Sequence, residues 1–418
     1  MAVTSPMVEP LRPSLGVTAP LGYLAGAAAA GIKSADAGEV AGAPGRLDVA
    51  VLYSERPATA AAVFTTNLVK AAPVVISQLN LKDGHARALV VNSGNANACT
   101  GSQGFKDALV MGKLAADALD LDPAEVLVAS TGVIGRPLPM AKIESGVVAA
   151  AARLDSGHGE AAADAIMTTD TRRKQAVAHF SHGGHTYTIG GMAKGSGMIH
   201  INMATMLGFL TTDAPLPAAE LQRVLSRCVE RTFNMVTVDG DTSTNDMLAV
   251  FANGAAGGGP LLAGAGLEAF EAALESVCVD LSRQIARDGE GATRMFTVEV
   301  TGAAGEDDAR KLARTVASSN LVKTAIHGGD PNWGRIVAAL GRAGAELVLD
   351  RLTVTVGEAV VVHHGAGIAE VDLDQVRAAF ESDEVRISCE LGLGDGAATA
   401  YGCDLSAEYV HINADYTT

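Results

Sequence analysis

Short apolar runs bounded by Ser, Asn or Gly recur at residues 49–53, 88–92 and 126–129, each rich in valine. Runs of that length and flanking chemistry predict buried strands. Between and after them the apolar spacing changes to that of a helix. Residues 107–121 bring Ala108, Met111, Ala115 and Leu119 onto one face, and residues 217–233 do the same with Leu221, Val224, Leu225, Cys228 and Val229. Pro217 suits a first helical turn, where its missing N–H leaves no bond unmade. Further along, the pattern predicts a helix over 267–286, a strand over 295–300, a helix over 306–317 and strands near 352–356 and 360–363, with the glycine-rich stretch 254–266 as a surface loop. This alternation places the chain in the α/β (α+β) class.

At 418 residues the chain exceeds what one core usually holds, which predicts two domains. No apolar run approaches the roughly 20 residues that cross a bilayer, so no membrane span is expected. Residues 1–15 carry prolines and both charge signs in place of a basic start and an apolar stretch, so no secretory signal is expected and a cytoplasmic address follows. A formal charge of −16 argues against a nucleic-acid partner, because phosphate binding needs basic surface, and points to small-molecule ligands. The five cysteines, Cys99, Cys228, Cys278, Cys389 and Cys403, are odd in number and scattered, against a disulfide framework and against zinc; each is expected to be a small buried residue.

One region resists a purely structural reading. Residues 191–213 run from a glycine-dense loop straight into an apolar stretch, Gly-Met-Ala-Lys-Gly-Ser-Gly-Met-Ile-His-Ile-Asn-Met-Ala-Thr-Met-Leu. Taken alone, Thr205 would be a core threonine among Met203, Met206 and Leu207. The segment nevertheless resembles the signature of the ornithine acetyltransferase family, at Lys194–Met198 and again at residues 202–207. Blocks at 91–101 (Val-Asn-Ser-Gly-Asn-Ala-Asn-Ala-Cys-Thr-Gly), 130–135 (Ser-Thr-Gly-Val-Ile-Gly), 167–171, 237–246 (Thr-Val-Asp-Gly-Asp-Thr-Ser-Thr-Asn-Asp) and 329–336 are similar to the family's in the same order, so the likeness covers nearly the whole chain. Departures are small: Ile201 stands where proline is common, and Arg294 where lysine is frequent.

The resemblance implies a precursor that breaks its own Ala204–Thr205 bond. A threonine hydroxyl is a poor nucleophile without an adjacent base. Cleavage would supply one, since the freed α-amine of Thr205 has a reference pKa of about 7.7–8.0. Thr205 would then take the acetyl group from N2-acetyl-L-ornithine, hold it as an ester and pass it to L-glutamate. The resemblance assigns the oxyanion donors to the Thr131 hydroxyl and the Gly132 N–H, and substrate binding to Thr168, Lys194, Thr205, Glu290, Asn413 and Thr418. By charge, Lys194 is expected to meet a substrate carboxylate and Glu290 an amine. The implied fold is an αββα sandwich like that of N-terminal-nucleophile, DmpA-like enzymes. Residues 1–204 (α chain) and 205–290 (start of the β chain) would build it, with a second, smaller α/β domain over 291–418 whose tail returns to the site. Assembly as α2β2 or larger is implied, with no metal and no cofactor. Acetyl-CoA as a second donor is left open, as is an arginine pathway against a secondary-metabolite one.

Other constellations are weak. His182–His185 and His363–His364 lack a third metal ligand, and residues 239–246 lack the glutamate of a calcium loop and are expected to fold as a polar turn near the site. Two rival readings remain: an N-terminal-nucleophile aminopeptidase or amidohydrolase of related fold, which would pass the acyl group to water, and a non-catalytic amino-acid-binding protein.

Overall fold

The computed structural model describes residues 13–33, 45–199, 206–261 and 263–415. Ala204, Thr205 and Thr418 lie outside the described residues. Two sheets face each other. The first has the order β1 (Tyr23–Ala28), β2 (Val49–Ser54), β4 (Ala88–Asn95), β5 (Val126–Val133); the second runs β3 (Thr59–Phe64), β10 (Met247–Ala252), β8 (Leu207–Thr212), β7 (His185–Lys194), β6 (Lys174–His182).

Strand alternation explains the apolar runs. In β10, Met247, Ala249 and Phe251 point to the layer between the sheets, whereas Leu248, Val250 and Ala252 point to the helices outside. In β4 and β5, Leu89, Val91, Leu127 and Ala129 meet that same inner layer, and Ala88, Val90, Val126 and Val128 face outward. A strand covered on both faces has no solvent side, so it reads as a continuous apolar run.

The outer face of the first sheet is covered by α1 (Ala72–Asn80), α2 (Gly101–Leu119) and α3 (Met140–Ala151), through Ile76, Met111, Ala115, Ile143 and Val147. The outer face of the second is covered by α5 (Ala218–Arg231) and α6 (Ala265–Arg287), through Leu221, Val224, Leu225, Leu274, Val277 and Leu281. A short α4 (Gly159–Ile166) packs on β1 and β2. The result is an αββα sandwich, as the class reading expected. Two local details differ. Helix α2 begins at Gly101, six residues earlier than the periodicity predicts, and Pro217 caps α5 in an extended conformation (φ −66°, ψ 145°) from outside its first turn.

A third, seven-stranded sheet has the order β14 (Ala366–Gly367), β13 (Ala359–His363), β12 (Thr353–Val356), β15 (Glu384–Glu390), β11 (Met295–Ala303), β16 (Gly396–Cys403), β9 (Val236–Thr237). It shares one core with α7 (Glu306–Ala317), α8 (Asn320–Gly328), α9 (Gly334–Gly341) and α10 (Leu373–Phe380). A last helix, α11 (Ala407–Asp415), follows β16. Cys228, Cys278, Cys389 and Cys403 are buried as expected, but Cys99 is exposed. It sits at φ 57° in the turn before α2, where backbone geometry and not packing sets its place.

Candidate active site

Strand β5 ends in Ser130-Thr131-Gly132-Val133, paired in parallel with the end of β4. Gly132 lies opposite Gly94 with φ 128°, and a Cβ on it would stand 2.3 Å from the Gly94 carbonyl carbon. Only glycine allows the two backbones to approach so closely. The strand end is pinned from a third segment: Asn245 Nδ2 donates to Ser130 O (2.8 Å) and Ala96 O (2.6 Å), while the Ser130 hydroxyl donates to Asn92 Oδ1 (2.6 Å). Thr131 is thereby held buried, its Oγ1 3.4 Å from Lys194 Nζ.

Lys194 closes β7 and is 3% exposed. Its ammonium has no ion pair among the described residues, and the Thr131 hydroxyl is its hydrogen-bond partner there. Burial pushes its pKa down from the ordinary value, against the attraction of Asp170, Asp246 and Glu290. A desolvated cation without a carboxylate in contact suits a site that receives an anionic group from outside.

The segments that frame it meet at a second lysine. Lys174 Nζ donates to Asp170 Oδ1 (2.7 Å) and Asp288 Oδ2 (2.6 Å), with all three side chains buried. Asp170 also accepts the N–H groups of Thr168 (3.0 Å) and Gly195 (2.7 Å), and Asp288 accepts the Thr171 hydroxyl and the N–H groups of Thr171 and Arg172. Burial alone would raise the Asp170 carboxyl, but Lys174, Lys194 and these bonds hold it well below the usual carboxylate range. Thr168, Lys194 and Glu290 are therefore set by one buried ionic knot, since Glu290 N–H in turn donates to Ser196 O (2.8 Å).

The tail completes the site. Asp404 accepts from the N–H groups of Thr293 (2.8 Å) and Arg294 (2.9 Å), and the Ser406 hydroxyl donates to Gly291 O (2.6 Å), so α11 is tied to the loop that carries Glu290. Asn413 Nδ2 then donates to Glu290 Oε2 (2.9 Å). Burial, with Asp239 and Glu290 nearby, raises the Tyr409 phenol.

Thr131, Gly132, Thr168, Lys194, Glu290 and Asn413 line a single cleft. Six residues from distant parts of the chain thus converge. Ser243, Thr244 and Asn245 line it too, from the polar turn read at 239–246, to which no role attached in the sequence. Asp170, Lys174 and Asp288 also went unnoticed, because a buried ionic knot has no linear spacing; the block at 167–171 was their only trace. The connection from Lys194 to Leu207 bears the Ala204–Thr205 bond. It is described up to Ile199 and from Met206. Asp239 holds the backbone N–H groups of Met198 and Ile199, and Asp246 holds that of Met206. Among the described residues no group of three or more His, Cys, Asp or Glu could hold a metal ion, and no helix is long and apolar enough to cross a membrane.

The model of the ArgJ family matches residues 25–418. The arginine biosynthesis bifunctional protein ArgJ of Symbiobacterium thermophilum is 52% identical over 406 residues, covering 96% of this chain and 98% of its own. The protein of that name from Dehalococcoides mccartyi is 50% identical over 410 residues, covering 98% of each. Among solved structures, ornithine acetyltransferase from Mycobacterium tuberculosis, complexed with ornithine, is 44% identical and aligns with 44% of this chain and 94% of its own, at a TM-score of 0.40.

Proposed function

The chain belongs to the ArgJ family of arginine-biosynthesis acyltransferases, and from that premise we propose how its own residues move an acetyl group from N2-acetyl-L-ornithine to L-glutamate. The polypeptide cuts itself between Ala204 and Thr205, and the new terminus is the nucleophile. Thr205 Oγ attacks the acetyl carbonyl and its α-amine takes the hydroxyl proton. The tetrahedral oxyanion is met by the Thr131 hydroxyl and the Gly132 N–H, each such donor lowering the barrier by about 3–4 kcal/mol. Ornithine leaves as the free amine, the acetyl group stays on Thr205 as an ester, and the amine of glutamate then removes it. The oxyanion returns to the same donors in the second half, as a ping-pong route requires.

One observation carries this reading: a desolvated Lys194, without an ion pair among the described residues, and a carboxylate, Glu290, line one cleft with the constrained Thr131–Gly132 turn. That combination suits a zwitterionic amino acid. Its α-carboxylate would meet Lys194, and its ammonium would meet Glu290, with Thr168, Asn413 and Thr418 adding polar contacts. No cofactor is needed. Acetyl-CoA would serve as a second donor if the chain is bifunctional, as its relatives are named. Residues 1–204 and 205–290 would then share the sandwich, with 291–418 as the smaller domain. A cytoplasmic α2β2 assembly follows from the same family reading.

The test is Thr205→Ala. The variant should remain one polypeptide by mass spectrometry and should transfer no acetyl group from N2-acetyl-L-ornithine to L-glutamate. A Thr205→Ala protein that keeps wild-type transfer would sink the reading.

A further inference from the structure

The turn joining β9 to β10 carries two acids, Asp246 buried and Asp239 half-buried, whose partners are the backbone on either side of the undescribed segment 200–205. Asp239 accepts the N–H of Met198 at Oδ2 (2.5 Å) and that of Ile199 at Oδ1 (2.9 Å), and Val238 N–H donates to Ile199 O (2.7 Å). At the other end, Asp246 Oδ1 accepts the N–H of Met206 (2.9 Å), and Met247 N–H donates to Met206 O (3.2 Å). The entry and the exit of the segment are therefore both held by one turn of the chain.

That turn is itself anchored. Thr65 donates through its hydroxyl to Ser243 O (2.7 Å) and through its N–H to Asp246 O (3.0 Å), and Ala71 N–H donates to Thr244 O (2.9 Å). Asn245, between the two acids, is the residue that pins the Ser130 carbonyl beside Thr131. Asp246 shows a further oddity. Its second oxygen, Oδ2, is buried without a hydrogen-bond partner among the described residues, a condition folded proteins seldom tolerate. Burial raises its carboxyl well above the usual range, although the Met206 bond and the Lys194 charge pull the other way. The side chain thus holds the backbone N–H of the residue that follows Thr205 in the chain.

We propose that Asp239 and Asp246 are positioning residues for self-cleavage: they fix the backbone at 198–199 and at 206, on either side of the bond that is cut, to a single anchored turn. This rests on the reading that the chain is cut before Thr205. The acids do not attack or transfer the acyl group. They act by position alone, and a misplacement of a reacting pair by about 1 Å can slow a reaction about 100-fold.

The two acids make different predictions under a conservative change. Asparagine at 246 keeps an acceptor oxygen for Met206 N–H. Asparagine at 239 cannot, because both of its carboxylate oxygens are in use and one becomes an amide NH2. The full chain is synthesised in vitro, and the intact polypeptide and its two products are followed over time by mass spectrometry, with thermal melting as the check on folding. Asp246→Asn should cut within about twofold of the wild-type rate, whereas Asp246→Ala and Asp239→Asn should each cut about 10–100-fold more slowly, the change that loss of one buried hydrogen bond produces. Folded Asp246→Ala and Asp239→Asn proteins that cut at the wild-type rate would overturn the proposal, and so would a folded Asp246→Asn protein that stays whole. If Asp246→Ala fails to fold, the two asparagine variants still decide. A wild-type chain that never cuts brings down the cleavage reading itself, which separates that failure from a failure of the clamp.

Discussion

Lys174 opens β6 and Lys194 closes β7, one register step apart on neighbouring strands, and both are withdrawn from solvent. Lys174 is met by two carboxylates within 2.7 Å. Lys194, one strand over, meets a hydroxyl at 3.4 Å and no carboxylate in contact. Burying an ammonium without a partner is costly, and a protein that supplies two counter-ions to one lysine had the means to supply one to the other. The difference teaches that a buried charge must be judged by what surrounds it: the saturated lysine organises the fold, and the unsaturated one is the cation that the proposed function assigns to a substrate carboxylate.

Substitution separates the two roles. The largest effect is expected from Lys174→Met, which leaves Asp170 and Asp288 buried together without their cation; stability should fall by about 3–5 kcal/mol, read from chemical denaturation. Lys194→Met should leave the denaturation midpoint unchanged or raise it, because it removes a desolvated charge. Its cost should appear in transfer, with kcat/KM for N2-acetyl-L-ornithine reduced by about 100-fold or more. If the two variants exchange phenotypes, the division of labour is wrong.

The smallest effect is one of pH. The Lys194 pKa lies below its ordinary 10.5, so the folded chain binds that proton less readily than the unfolded chain does. The resulting penalty on folding is present below the lowered value and fades as pH rises through it. Affinity runs the other way: the cation that would hold the substrate carboxylate is lost over the same interval. KM should therefore climb at a pH below that of an ordinary lysine, and the climb should vanish in Lys194→Met.

Much of this architecture was legible before the coordinates. The helix read at 306–317 matches α7 end for end, because Ala309, Leu312, Ala313, Val316 and Ala317 all face one core and write the helical period into the chain. Helix α2 starts early because its first turn, Gly101 to Gly104, is set by backbone bonding and carries no apolar side chain to mark it. Cys99 was misread for the same reason. In the cleft, Thr131, Lys194, Glu290 and Asn413 were reached through the family resemblance. The roles of Asp170, Lys174, Asp288 and Asp246 were not, although Asp170 and Asp246 stand in the blocks at 167–171 and 237–246, because a buried charge earns its role from partners distant in the chain, as Lys174 does from Asp288 and Asp246 from Met206. Periodicity reports which side of an element is dry. It does not report which charges meet.

The strand order of the second sheet bears on what becomes of a cut chain. From one edge to the other it reads β3, β10, β8, β7, β6, so the strands before the proposed cut lie on both flanks of the two that follow it. The product beginning at residue 205 would be wedged, with one ladder to β3 and another to β7. Neither piece could slide free without tearing two rows of hydrogen bonds at once. Once denatured, however, the pair would have to find each other by diffusion and reinsert a middle, so that recovery would depend on concentration. A one-chain molecule would have become a construction that assembles easily only once.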